Sequence, residues 1–246
     1  TKTGSKAEGL GISINSNLTM DNPMYLPEFQ NEYAQGTLGA AYTDILTDFG
    51  SSSWGPKMGA EQMYFDGMPR RTQAYPDNVK DFFDTGIKAS TSLSIQDASE
   101  KGSVRFSYTN NDHKGIIPSS TLVSHNFNLR GVMNLSDKLT VDAKATYFTQ
   151  EVNNRQFLGG EGIMGPLYQM PRSVDIKDLE QYQVDNPGTT EEYVVRNYAG
   201  PNSQTANPYW MANHDTQKER RNRFFGFAKI NYEFTDWLSA FVRVGA

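Results

Sequence analysis

The stretch NFNLRGVMNLSDKLTVDAKATY, residues 126–147, places apolar side chains at alternate positions on both sides of a short Ser-Asp turn. Phe127 and Leu129 share one face of its first half, while Asn128 and Arg130 share the other. Successive side chains of a β-strand point to opposite faces, so this period of two predicts two amphipathic strands joined by the turn.

Six connectors separate seven stretches of this kind, and the connectors alternate strictly between long and short. Connectors 21–86, 113–120 and 155–219 are long, whereas 97–101, 136–137 and 235–236 are short. In an up-and-down barrel, odd and even connectors emerge on opposite sides of the membrane, with short turns inside and longer loops outside. We therefore predict an all-β fold, an up-and-down antiparallel transmembrane β-barrel segment of about seven strands, at 9–20, 87–97, 102–112, 121–135, 138–154, 220–234 and 237–246.

The composition is compatible with this prediction although it lacks an overall membrane signature. The 246 residues are 37% hydrophobic with a mean hydropathy of -0.62. In a barrel wall only alternate residues contact lipid, so the mean stays low. No run approaches the roughly 18 apolar residues that a spanning helix needs. The net charge of -5, without a basic cluster, disfavours nucleic acid as a partner.

Catalytic and metal signatures are missing from the sequence. His113, His125 and His214 show no metal-ligand spacing, and the chain contains no HExxH or GxSxG motif and no cysteine. We expect no enzyme activity, no catalytic residues, no metal site and no cofactor.

Five short motifs carry a resemblance to a known family. They are SWGPKM at 53–58, NVKDFFDTG at 78–86, HKGIIPSS at 113–120, NFNLR at 126–130 and NPYW at 207–210. In this order and between these strands, they resemble the SusC/RagA family of TonB-dependent outer-membrane transporters, in the segment just after the plug domain.

The resemblance implies a 22-stranded barrel in the Gram-negative cell outer membrane, of which this chain is a piece. Residues 1–8 would be the tail of the plug or a linker, and 9–246 the N-terminal part of the barrel, surrounded by membrane lipid. The implied partners are a SusD-like surface lipoprotein and the TonB complex, which binds a plug-side motif outside this segment.

We expect active import of oligomeric nutrients, with an oligosaccharide substrate ahead of a peptide. Two other functions stay open at this point. One is a passive outer-membrane porin or barrel adhesin, and the other is a secreted carbohydrate-binding β-sandwich, whose strands also alternate.

The long connectors are rich in aromatic residues, which suit sugar rings or extended peptides. The substrate-binding candidates are Trp54, Tyr75, Tyr209 and Trp210. The competing expectation is that loop aromatics pack on one another, on the plug or on the lipoprotein. For Trp54 we expect burial against the plug or the barrel wall.

A short helix is predicted at 78–85, capped by Asp77 or Asn78 and ended by Gly86. Its two phenylalanines, Phe82 and Phe83, are expected to anchor the loop. Aromatic residues near strand ends predict two interfacial girdles: Phe234 and Trp237 at a short turn, and Phe224, Phe225, Tyr147 and Phe148 near the long loops.

The polar face of the predicted wall carries an excess of basic residues over Asp142 and Glu233. We expect these cations to pair with carboxylates on the plug, since buried charge needs partners. The alternative is an electropositive wall that guides an anionic solute. The lumen-facing charged candidates are Lys88, Arg105, Arg130, Lys144, Arg223, Lys229 and Arg243.

Overall fold

The alternating stretches form the long strands of one antiparallel sheet in a computed structural model, which describes residues 10–41, 52–157, 159, 162–185, 193–199, 207–214 and 217–246. The predicted plug tail at 1–8 lies outside the described residues. In chain order the strands are β1 (Gly11–Asp21), β2 (Gly36–Thr37), β3 (Ala40–Ala41), β4 (Glu61–Met63), β5 (Pro69–Arg71), β6 (Gly86–Ser99), β7 (Gly102–Lys114), β8 (Thr121–Ser136), β9 (Leu139–Arg155), β10 (Gln183–Asp185), β11 (Tyr193–Val195), β12 (Gln217–Thr235) and β13 (Leu238–Gly245).

The seven long strands pair in the order β1-β6-β7-β8-β9-β12-β13, so each one pairs with its neighbour among the long strands along the chain. This up-and-down topology confirms the all-β prediction and its seven strands, whose ends all lie within three residues of those predicted. Strand β12 begins earlier than predicted because its first residues pair with the end of β9, although they show no apolar alternation.

The pairing register brings the apolar residues of successive strands onto one face. Phe127 of β8 lies opposite Tyr108 of β7 on one side and Tyr147 of β9 on the other. The same cross-strand row continues to Leu93 and Ile14 in one direction and to Phe224 in the other. We call this side of the sheet the apolar face.

No second layer of the described chain covers the apolar face. Large side chains along it are strongly exposed, as in Ile14 (70%), Leu129 (50%) and Val242 (68%). Every fully buried hydrophobic residue of the described chain comes instead from the connectors between the long strands. A soluble β-sandwich would bury one face of this sheet beneath another sheet, which the described residues do not supply.

The described residues of the connectors 22–85 and 156–216, which we call the loop cap, hold the hydrophobic core. Its regular elements include the helices α1 (Asn78–Asp81), α2 (Met164–Gln169) and α3 (Pro208–His214), and a 3-10 helix at Ile176–Leu179. Ile117, from the connector between β7 and β8, packs against the same core. All three long connectors therefore meet at one end of the sheet, as the alternation of their lengths predicted.

Helix α1 is shorter than predicted and is not capped as predicted. It ends after Asp81, because the N–H of Asp84 donates to Ile116 O (2.8 Å) and draws the chain into the loop cap. Gly86 begins strand β6 and does not end the helix. Asp77 makes no side-chain cap bond. The predicted anchoring by phenylalanine is observed for Phe82, which is 1% exposed, and for Phe83, which is partly buried against the same core.

Asn154, at the end of β9, joins the sheet to the loop cap. It is buried and adopts a left-handed backbone conformation with φ of 59°. Its side-chain Nδ2 donates to Ala212 O of α3 and to Pro118 O (3.3 Å). Asparagine tolerates positive φ better than most residues, so one side chain satisfies both the backbone turn and the tertiary contact.

Replacing Asn154 tests this junction. Asn154→Gly should remove only the side-chain bonds, whereas Asn154→Ala should also strain the backbone by about 1 kcal/mol. We expect hydrogen exchange of the α3 amides to rise in both variants of the purified protein, about fivefold more in the alanine variant. Equal exchange in the two variants would show that the backbone conformation carries no strain.

Candidate functional site

The seven basic residues proposed from the sequence share the face of the sheet opposite the apolar face. Arg105 lies across from Arg130, and Arg130 from Lys144, so three cations stand side by side in one row. Like charges directly opposite one another on a sheet destabilise it unless partners compensate them. Lys88, Arg223, Lys229 and Arg243 follow at alternate positions on this polar face.

Within that row, only Arg130 has a carboxylate partner among the described residues. Its Nη2 and Nε donate to the two oxygens of Asp142 at 2.8 and 3.0 Å. Arg105 donates instead to the side-chain amide of Gln96 (2.8 Å). Hydrogen bonds of this kind fix the side chains but leave most of the positive charge uncompensated.

Aromatic rings stand between the cations on the polar face. The Arg243 guanidinium lies 4.0 Å from the centroid of Phe227, and the Lys229 ammonium 4.3 Å from that of Phe241. Lys144 lies 5.6 Å from Phe225. Cation–π attraction stabilises such pairs and holds the charged groups against the polar face of the sheet. Sequence reasoning missed Phe227 and Phe241, which interrupt the polar side chains of this face, and it assigned Phe225 to an interfacial girdle.

The girdle predicted near the long loops divides between the two faces. Phe224 and Tyr147 lie on the apolar face, but Phe225 and Phe148 lie on the polar face. The prediction was wrong for the latter two, because residues next to each other in a strand point to opposite sides. Tyr108 and Phe127 extend the row on the apolar face, with ring centroids 4.8 Å apart.

Charge is distributed unevenly between the sheet and the long connectors. Connectors 22–85 and 156–216 contain 17 acidic and seven basic residues, a net charge of -10 in a chain whose total is -5. The remainder of the chain, dominated by the sheet, is therefore net positive. The net charge of the long connectors therefore disfavours anions, whereas the cations of the polar face favour them.

The structure does not assemble the four candidate aromatics into one site. Tyr209 and Trp210 pack against the core of the loop cap, Tyr209 with its ring 5.1 Å from Phe82, and burial raises the pKa of Tyr209. Trp210 stacks on His214 at 5.2 Å. Tyr75 is half-buried, and its hydroxyl accepts a hydrogen bond from Gln73 (2.8 Å).

Trp54 is the most exposed of the four candidates. Its side chain is 59% exposed, and its ring contact is with Tyr33, at 5.9 Å between centroids. Trp54 is therefore not buried against the described sheet, and its expected burial against the plug stays a prediction. The predicted loop packing is observed for Tyr209 and Trp210, which leaves Trp54 and Tyr75 as the accessible aromatic candidates.

Buried polar side chains connect the segments of the loop cap, and sequence reasoning missed them. Asn78 donates from Nδ2 to Val174 O (2.6 Å) and accepts from the N–H of Ile176 (3.0 Å). Gln35 accepts at its backbone oxygen from Gln62 (2.7 Å) and donates from Nε2 to Tyr198 O (2.9 Å). Amides supply both donors and acceptors, so they satisfy irregular backbone that has no ladder partner.

Arg172 is a cation buried in the loop cap with an exposed fraction of 2%. Its Nη2 donates to Tyr75 O (2.8 Å) and Pro76 O (3.2 Å), and its guanidinium lies 4.7 Å from the ring centroid of Phe29. Burial lowers the pKa of Arg172. Its contacts join segments that are distant in the sequence, which indicates a structural role. The carbonyl oxygens and the ring face compensate its charge only in part.

Tyr64 links the β4–β5 hairpin of the loop cap to the 3-10 helix. Its hydroxyl donates to Asp178 Oδ2 (2.9 Å) and accepts from the N–H of Asp175 (2.9 Å). Burial raises the pKa of Tyr64, with the Asp178 carboxylate adding to the effect. Arg70 also pairs with Asp178 (3.0 Å) and with Asp66. The carboxylates are thus engaged by donors in a structural network.

The described part of the chain contains no group of three or more His, Cys, Asp or Glu side chains that could hold a metal ion. Nor does any helix in the described ranges have the length and apolar character that a membrane crossing requires. No protein-family model matches the chain, and no curated protein matches it.

Asn207 gives the sharpest test of how the loop cap is held. Its Nδ2 donates to Leu179 O and Arg196 O, both at 2.9 Å, and its Oδ1 accepts from the N–H of Tyr209 (2.8 Å). Asn207→Ala leaves these buried backbone groups without partners, which should cost about 2–4 kcal/mol. We expect local unfolding around α3, measured as greater protease cleavage there.

The matched control is Asn31→Ala, which removes one hydrogen bond from an exposed side chain to a backbone oxygen two residues away. We expect this control to be cleaved at the wild-type rate. Equal resistance of Asn207→Ala and Asn31→Ala would contradict the assignment of Asn207 as a link within the loop cap.

Proposed function

We propose that this chain forms part of the wall of an outer-membrane β-barrel transporter that imports oligomeric nutrients, glycans ahead of peptides. The proposal rests on one observation above all: the sheet exposes a continuous apolar face while its hydrophobic core lies elsewhere. Soluble monomers rarely expose contiguous apolar patches beyond a few hundred Å². More than a dozen large apolar side chains along this face stay exposed.

The apolar face is bounded toward the loop cap by ordered rows of side chains. The row nearest the middle of the sheet is aromatic and contains Tyr108, Phe127 and Tyr147. The next row toward the loop cap is polar and contains Asn110, His125, Thr149 and Asn222. The row after that contains the charged residues Asp112, Glu151 and Arg220. The phenol of Tyr108 bonds across these rows to His125 Nδ1 (2.8 Å). An aromatic row followed by polar and charged rows is the order expected at a membrane interface.

The height of the apolar face fits an outer membrane. From Tyr147 to Leu139 on β9 is eight residues, which at about 3.3 Å per residue and a tilt near 45° rises roughly 19 Å. The apolar band of such barrels is about 25 Å tall and is flanked by aromatic girdles, so this span covers most of the band. The wall would thus place Tyr147 near one interface and the short turns near the other.

The edges of the sheet support a barrel larger than seven strands. Strands β1 and β13 each pair on one side only within the described chain. Unpaired backbone groups are costly in hydrocarbon, so membrane sheets close on themselves. In the 22-stranded barrel implied by the SusC/RagA resemblance, these edges would pair with strands outside the present chain.

The polar face would then line the lumen, and we take its cations to pair with carboxylates of the plug. The net negative charge of the long connectors favours this explanation over guidance of an anionic solute, which those connectors would repel. Uncharged oligosaccharides suit such an entrance, with Trp54 and Tyr75 as the accessible aromatic surfaces. A SusD-like lipoprotein at the outer mouth and the TonB complex complete the proposed mechanism.

Charge placed on each face tests the membrane assignment. Leu129→Arg puts a cation at mid-height on the apolar face and should destabilise the assembled wall by about 2–4 kcal/mol. Ser107→Arg places the same charge at similar height on the polar face. We expect Leu129→Arg to lower the fraction of heat-modifiable, folded protein in outer membranes, with Ser107→Arg near wild type; equal effects would contradict lipid contact.

Energy coupling separates the importer from the passive porin. Uptake of labelled neutral oligosaccharides should require the full-length protein and should stop when TonB is deleted or a protonophore is added. Uptake that persists unchanged under both treatments would favour the porin. If the protein assembles in the outer membrane but takes up no labelled sugar, the proposed transport of these sugars is wrong. The proposal that the sheet forms a barrel wall would be unaffected by that result.

A further inference from the structure

A hollow lies in the apolar face beside the turn between β6 and β7. Its volume is about 730 Å³, within the range of roughly 300–1,000 Å³ that is usual for small-molecule sites. Val104, Gly131, Met133, Val141 and Ala143 line it, and all of them belong to the apolar face. Gly131 and Ala143 lie opposite each other in β8 and β9, and their small side chains leave room between the larger neighbours.

The backbone does not require a glycine at position 131. Gly131 has no positive φ, and a Cβ built on it would meet its nearest heavy atom, Ser103 O, at 4.0 Å. Gly102, which also lines the hollow, differs in both respects, because its φ is 150° and a Cβ there would come within 2.2 Å of Val132 O. The backbone therefore explains Gly102 but not Gly131, whose lack of a side chain keeps the hollow open.

The turn between β6 and β7 ends before strand β8 does. The N–H of Asn134 in β8 donates to Lys101 O (2.8 Å), and the side-chain Nδ2 of Asn134 donates to Glu100 O (3.2 Å). Strand β8 continues past this point through Leu135, which also lines the hollow and is exposed. The polar residues of the β6–β7 turn therefore lie at the level of apolar side chains and not beyond them.

Two opposite charges line the hollow at this turn. Asp97 lies on the apolar face, opposite Val104, and Lys101 follows in the turn. Both side chains are exposed, and neither forms an ion pair with any residue that the structure describes. The Asp97 carboxylate accepts a hydrogen bond from the N–H of Ala98 (2.9 Å), its neighbour in the chain. A charged side chain beside hydrocarbon is stabilised by a partner of opposite charge.

We propose that the hollow binds one phosphatidylethanolamine molecule, with an acyl chain against Gly131 and Ala143. The headgroup ammonium donates to the Asp97 carboxylate, and the headgroup phosphate accepts from the Lys101 ammonium. Charge-assisted hydrogen bonds of this kind are roughly twice as strong as neutral ones. The inference rests on the proposed function, because it requires lipid at the apolar face.

Charge complementarity selects a zwitterionic lipid that has a primary ammonium group. Residues 97–101 contain two acidic side chains and one basic side chain, a net charge of -1, so the turn disfavours a purely anionic headgroup. Phosphatidylcholine is also zwitterionic, but its quaternary ammonium has no N–H to donate to Asp97. Phosphatidylethanolamine matches both charges and supplies the donor.

Photocrosslinking in bilayers tests this preference. The full-length protein is placed in bilayers of equal parts phosphatidylethanolamine, phosphatidylcholine and phosphatidylglycerol, with a trace of one of these lipids carrying a diazirine in its acyl chain. Labelling of β8 around Gly131 is then measured by peptide mass spectrometry. We expect the phosphatidylethanolamine probe to label this segment about fivefold more than either other probe, as the gain of one hydrogen bond implies.

Three variants separate the parts of the site. Asp97→Asn removes the carboxylate with little change in shape and should abolish the preference over phosphatidylcholine. Lys101→Gln should lower labelling by phosphatidylethanolamine and phosphatidylcholine alike, because both carry the phosphate. Gly131→Leu should fill the hollow and abolish the preference. The matched control is Asp137→Asn, the same substitution at the exposed turn between β8 and β9, which should keep the wild-type preference.

Equal labelling of the wild-type protein by the three probes would overturn the proposal, and so would a preference that Asp97→Asn leaves unchanged or that Asp137→Asn also abolishes. Each of these results would leave lipid contact of the apolar face in place. If no probe labelled β8, the proposed barrel wall would be contradicted, and the lipid site with it.

Discussion

Continuous antiparallel pairing of the seven long strands is the constraint on which the rest of the structure depends. The pairing fixes every side chain of the sheet to one of two faces, and a slip of one residue in any pair would exchange them. From Ile14 on β1 to Phe224 on β12, apolar residues occupy the same face in one unbroken row. Hydrogen bonding of the backbone therefore creates the apolar face, the polar face and the separation between them.

The sheet and the loop cap differ in where their apolar side chains lie. The sheet satisfies its backbone through ladders and leaves apolar side chains outside, which suits hydrocarbon and not water. The loop cap buries apolar residues such as Leu167 and Ile176 completely, and its irregular backbone is satisfied by buried amides such as Asn78 and Asn207. The proposed transporter wall would need this division, because its connectors would face water while its strands would face lipid. On the polar face, phenylalanine rings and Asp142 hold cations in place without neutralising most of them.

Sequence reasoning located the sheet accurately because strand alternation is a local signal with a fixed period. It placed Arg130 opposite the apolar residues and set the long connectors on one side, and the structure agrees with both. It failed where tertiary contacts decide. Helix α1 is cut short by the bond from Asp84 to Ile116 O, and the two-residue and three-residue strands are too short to show a period. The sequence does not distinguish Arg172 from a surface arginine, because its burial depends on connector segments that are distant in the sequence.

The central claim, that lipid covers the apolar face, is tested most directly by a nitroxide attached to Leu129→Cys and, separately, to Asn128→Cys in the full-length protein in bilayers. Neighbouring positions on opposite faces make the comparison independent of depth. The account predicts high accessibility to oxygen and low accessibility to a water-soluble nickel chelate at 129, with low oxygen accessibility at 128. Equal accessibilities at the two positions, or greater access of the nickel chelate at 129, would contradict it.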